Sequence, residues 1–139
     1  MHTEHLTHVR PVGVVVGWLV AVAVGSLVGL LLASAGGESG SNQAGGLLAV
    51  AVGFFAGGFL AGFRSMHAPI LHGVALGMVS LVAWVAVNLA ARGTSANFGW
   101  EALTPTMAGL SLIAQMGFGV AGAWTGYRLA LRGQPEPED

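Results

Sequence analysis

The sequence predicts an all-α fold, an antiparallel up-down bundle of four helices embedded in a membrane. Three observations carry this: the scarcity of charge, the placement of the few charges, and the spacing of the glycines. Of the 139 residues, 54% are hydrophobic and only 8% charged, whereas about a quarter of a soluble domain is charged. The charged residues bracket four uncharged runs, 11–37, 39–63, 65–91 and 102–127, each 25 to 27 residues long. A helix needs about 20 apolar residues to cross a hydrocarbon core roughly 30 Å thick, so four runs predict four spans.

The helices are predicted at about 12–33, 44–63, 70–91 and 106–131, within a transmembrane domain of 12–132. A tail of 1–11 precedes it and an acidic tail of 133–139 follows. Pro69 and Pro105 suit the first turn of a helix, where a missing N–H costs nothing, and Thr104 is placed to cap the fourth helix. The Gly/Ser/Asn run from Ser34 to Gln43 reads as a turn. Residues 64–68 leave room only for a tight hairpin. Phe98 and Trp100 in the third connection suit the headgroup level. Ala33-Ser34-Ala35 matches a small-x-small cleavage pattern. The apolar stretch before it is about 22 residues, against roughly 7 to 15 for a signal core, so it is read as a span.

Orientation follows from arginine. Arg10, Arg64, Arg128 and Arg132 fall on one side and Arg92 on the other, which predicts a plasma (inner) membrane protein with both termini cytoplasmic. With a net charge of −1 and no basic patch, no nucleic-acid partner is expected. Having no cysteine, the chain can form no disulfide and no thiolate metal site.

Small residues recur every four positions. The first helix has Gly13, Gly17, Ala21, Gly25 and Gly29; the second has Gly53, Gly57 and Ala61, with Gly58 and Gly62 in an adjacent row. The third has Gly73 and Gly77, and the fourth Gly122 and Gly126. Such rows let helix backbones approach closely in lipid, where no hydrophobic drive exists between helices. They serve either packing within one bundle or an oligomer interface. The segment 53–64 also aligns without gaps on 117–128, with five of twelve residues identical, which suggests duplicated helical hairpins related by an axis along the membrane normal.

The stretch Gly57-Gly-Phe-Leu-Ala-Gly-Phe-Arg64, followed by Leu71-His-Gly-Val-Ala-Leu-Gly77, resembles the hairpin of YrzE-like small four-helix bacterial membrane proteins. That group has no established function, so the resemblance implies a four-helix membrane layout and no site residue.

The spans hold no carboxylate, which argues against a proton-coupled exporter. Among their polar residues Gln115 is the most costly to place, about 15 Å into the fourth helix at 1.5 Å per residue. Ser111 lies one turn away, and Ser80 at similar depth is the expected partner. These three are read as either an interhelical hydrogen-bond cluster or a polar lining for an uncharged solute. His72 is read as near the inner end of the third helix, at the depth of Thr125, either structural or responsive to pH. His2, His5 and His8, with Glu4 between, make a flexible tail the expectation over a metal site. No nucleophile–base pair or phosphate loop appears, so neither enzymatic activity nor a cofactor is expected. The expected role is a packing, scaffold or oligomerising membrane subunit, with a small oligomeric channel or transporter for a neutral or weakly polar solute as the alternative. Expected partners are lipids and either copies of itself or another membrane protein.

Reporter fusions test the topology. Fusions at Gly37 and Asp139 are expected to report opposite sides of the membrane, and a shared side would rule out four spans.

Overall fold

A computed structural model describes residues 11–36, 43–65, 68–91 and 105–133. All four described segments are helical: α1 (Pro11–Gly36), α2 (Gln43–Ser65), α3 (Pro69–Ala91) and α4 (Pro105–Arg132). Three of the four open on a proline, whose fixed φ suits the first turn. Every boundary lies within three residues of its sequence-based position. Three helices are long and apolar enough to cross a membrane: α1, α2 and α3. By length α4 would serve, but Thr106, Ser111, Gln115, Thr125 and Arg128 make it the least apolar. The His2, His5 and His8 tail, both predicted end segments beyond 11 and 133, and the Phe98–Trp100 connection lie outside the described residues.

Between α2 and α3 the chain reverses at Ala68, which has a φ of 45°. The ring of Pro69 disfavours the right-handed helical region for the residue before it, and the left-handed alternative carries a steric cost for a residue with a Cβ. Two bonds from His72 to the Ala68 carbonyl brace the turn, one from the backbone N–H at 3.3 Å and one from ring Nδ1 at 3.0 Å.

α2 and α3 each touch all three other helices, α2 most extensively, whereas the described parts of α1 and α4 do not touch. Around the bundle the order is α1, α2, α4, α3. The glycine contacts give the directions. Gly17 sits against Gly57, and Gly25 against Ala49 and Gly53, so α1 and α2 run in opposite directions. Gly73 sits against Gly119 and Val120, and Gly77 against Met116, so α3 and α4 do too. Gly58 and Gly62 pair with Gly119 and Ala123 in ascending order, so α2 and α4 run parallel.

The α2–α4 contact is the most extensive among the described helices. A methyl group at Gly58 would overlap the Gly119 carbonyl, and one at Gly62 the Ala123 carbonyl. From the other side, a methyl at Gly122 would overlap the Phe55 carbonyl, and one at Gly126 the Phe59 carbonyl. These four contacts are two pairs exchanged by an offset of 64 residues: 58 with 119 becomes 122 with 55, and 62 with 123 becomes 126 with 59. The repeated segments therefore face each other across a local twofold.

That symmetry stops at the two helices. α1 covers Gly53 and Gly57 of α2, placing the Ala21 and Gly17 carbonyls against them. The counterpart positions on α4 are Gly117 and Ala121. Gly117 has nothing within 4 Å of an added Cβ, and Ala121 is exposed. α3 docks instead on Met116, Gly119 and Val120. A twofold would carry α1 onto the bare face of α4, so the two hairpins are not equivalent and the expected whole-chain duplication is corrected to a local one. Gly29 meets only the Ala49 methyl, at 3.8 Å, and Gly13 lines a cleft of about 180 Å³ with Val16, Ala61 and Ser65.

Adding one methyl separates these cases. Gly62→Ala or Gly126→Ala forces backbones apart and is expected to cost about 1–3 kcal/mol, read as a lower Tm in detergent. Gly117→Ala should leave Tm unchanged, and equal losses at Gly62 and Gly117 would refute the packing described.

A polar cavity between two helices as candidate functional site

Ser80 of α3 and Ser111 and Gln115 of α4 line one cavity between the two helices. Ser80, Leu81 and Trp84 recur at helical spacing on α3, and Ala108, Ser111, Leu112 and Gln115 do so on α4. Because Ala108 and Gly109 are small, the helices leave a cavity of about 390 Å³ between these faces. Small-molecule sites span roughly 300–1,000 Å³, so this one suits a compact ligand.

The hydrogen bonds differ from those the sequence suggested. Gln115 was expected to pair with Ser80, but its Nε2 donates to Ser111 Oγ of its own helix, at 3.2 Å. Residues four apart share a helix face, so the local partner is always within reach, whereas Ser80 lies across the cavity. Ser80 Oγ accepts instead from Trp18 Nε1 of α1, at 2.9 Å. Trp18 was absent from the sequence-based candidates. A tryptophan inside an apolar span carries the relevant signal, because a buried indole N–H seeks an acceptor.

Gln115 Oε1 is buried and has no partner. An unmet buried polar group costs about 1–3 kcal/mol, and lipid offers no water to satisfy it. Rotating the carboxamide by half a turn would exchange an orphan acceptor for an orphan donor, so one arm stays unmet either way. Ser80 is in a complementary state. Its oxygen accepts from Trp18, which leaves the hydroxyl hydrogen to donate. Ser111, which accepts from Gln115, likewise keeps its hydroxyl hydrogen, so the lining residues bring one unmet acceptor and two donors, with no charged side chain among them.

His72 is not part of this site. It lies eight residues from Ser80 on α3, about 12 Å along the helix. It is fully buried, at the start of α3. The Ala68 carbonyl can only accept, so Nδ1 donates to it, and Nε2 is buried with no partner. Nor does His72 meet Thr125, which is exposed and donates to the Ala121 carbonyl at 2.7 Å. Ala21, Ala61, His72, Leu76 and Ala123 are each at most 1% exposed and fill the middle of the bundle, so the cavity does not continue as a pore through it.

Among the described residues no group of His, Asp or Glu could hold a metal ion. Comparison with family models, characterised proteins and solved structures gave no match, so the reading of this site rests on its geometry.

A double-mutant cycle tests the bond between α1 and α3. Trp18→Phe and Ser80→Ala should couple by about 0.6 kcal/mol, the average for interhelical hydrogen bonds in a membrane. Strictly additive losses of stability would show that the bond contributes nothing.

Proposed function

We propose that this protein is a multi-pass plasma-membrane protein that binds a small uncharged molecule in the cavity between α3 and α4. The unmet oxygen of Gln115 in an otherwise apolar cavity carries this reading. The absence of lining charge favours a neutral ligand, since a buried ion without a counter-charge is strongly disfavoured. A single hydroxyl group on an apolar body matches the available partners: it can accept from Ser80 and donate to Gln115, while Leu81, Trp84 and Leu112 contact the body. A simple amide would also serve.

The filled middle of the bundle gives no support to a conduit through one protomer. The packing or scaffold reading drew on the glycine rows, and most of those glycines meet partners within the protomer. Gly46, Gly109 and Gly117, outside those rows, are described helical glycines with open space beside them. The arginine bias supports cytoplasmic termini, and the YrzE-like resemblance agrees with a small four-helix membrane protein.

Photolabelling tests the binding. The full chain in lipid vesicles is exposed to a diazirine-bearing medium-chain alcohol, and adducts are mapped by mass spectrometry. Adducts should concentrate on residues 80–84 and 108–115 and be displaced by the unlabelled alcohol but not by the matching alkane. Gln115→Leu should weaken alcohol labelling by roughly fivefold, equivalent to about 1 kcal/mol for one hydrogen bond, with Tm retained. Adducts spread evenly over the lipid-facing surface would overturn the proposal.

A further inference from the structure

The bare face of α4 has a second peculiarity at its C-terminal end. Gly117, Ala121, Trp124, Thr125, Arg128 and Arg132 fall on one stripe of the helix, and all six are exposed. At its upper part the stripe is a low strip of small side chains, open where Gly117 has nothing within 4 Å of an added Cβ. Lower down, Trp124, Thr125, Arg128, Leu129 and Arg132 line a cleft of about 270 Å³. The guanidinium of Arg128 stacks on the Trp124 ring, 3.7 Å from its centroid. Stacking occupies the flat face of the guanidinium and leaves its N–H edge free for two parallel hydrogen bonds to an oxyanion. Arg132, one turn on, brings a second cation to the same side.

We propose that this face binds one anionic phospholipid, with the phosphate at Arg128 and Arg132 and an acyl chain along Gly117 and Ala121. Length supports the assignment. From Gly117 to Arg132 is 15 residues, about 22 Å at 1.5 Å per residue, which matches one leaflet of a bilayer roughly 40–45 Å thick with its headgroups. The strip is apolar along the acyl part, because the Thr125 hydroxyl is bonded to its own helix at Ala121. The counterpart face on α2 is filled by α1, so the shape suits a rod, and charge decides which rod. A second copy of α4 packed parallel on this face would bring four arginines together, and like charges at close range repel. A phospholipid supplies the negative charge and the apolar rod in one molecule.

The test uses the full chain reconstituted in vesicles of equal parts phosphatidylglycerol and phosphatidylcholine. Native mass spectrometry reads the lipids retained. Phosphatidylglycerol is expected to be retained in preference to phosphatidylcholine. Arg128→Gln and Arg132→Gln should each reduce that preference by roughly fivefold, and the double variant should abolish it. Both side chains are exposed, so the variants should keep the wild-type Tm. Ala121→Phe should block the strip and lower retention with both arginines intact. Equal retention of the two lipids by the wild type, or an unchanged preference in the double variant, would overturn the proposal. So would a preference that appears only after deletion of residues 134–139, which would make the acidic tail the occupant. If glycerol 3-phosphate displaces the lipid at matching concentration, the site recognises phosphate alone and the acyl assignment fails.

Discussion

Everything in this bundle is arranged around the contact of α2 with α4, where two helix backbones meet with no side chain between them. Gly58 and Gly62 accept the carbonyls of Gly119 and Ala123, while Gly122 and Gly126 accept those of Phe55 and Phe59. In lipid there is no hydrophobic reward for bringing helices together, so association depends on close packing. Side chains on these faces would raise the helix separation and remove that contact. Phe55 and Phe63 are exposed, and the Phe59 and Phe63 rings stack with centroids 6.1 Å apart. The backbones of these three residues receive the glycines of α4.

With α2 and α4 fixed, α1 and α3 occupy what remains. α1 lies on the far side of α2, and α3 closes the groove between α1 and α4. Tight packing at the middle of the bundle and small residues near the start of α4 together produce the cavity. It exists because Ala108 and Gly109 fail to fill the space that Trp84 and Leu81 leave. Polar groups that a tightly packed bundle would have paired are held apart there, which is why Gln115 turns to its own helix. The cavity and the exposed stripe of α4 through Gly117 and Ala121 lie on different faces of the same helix, so a ligand in one need not displace an occupant of the other.

Much of this was legible in the sequence. The four uncharged runs placed the helices because the cost of burying a charge in lipid is large and independent of tertiary detail. Glycines four apart marked packing faces for a similarly local reason. Rows of small residues do not name their partners, though. The sequence favoured packing within one bundle but left an oligomer interface open, and Gly117 looked no different from Gly53. Only the arrangement of α1 separates them, since one is covered by a backbone and the other faces open space. The repeat misled in the same way: a match of five residues in twelve reflects a shared α2–α4 seam and does not extend to the helices beside it.

Composition and spacing by themselves determined the helices, their approximate ends and the absence of intramembrane carboxylates, because these follow from the solvent and the helical period. They also marked Gln115, Ser80 and Ser111 as polar groups at similar depth. Tertiary structure alone decided which of them bond. Depth says how far along a helix a group lies, but hydrogen bonding also requires the right rotation about the helix axis. That rotation is set by packing elsewhere, at the glycine seam, and it gave Ser80 to Trp18 and left one arm of Gln115 unmet.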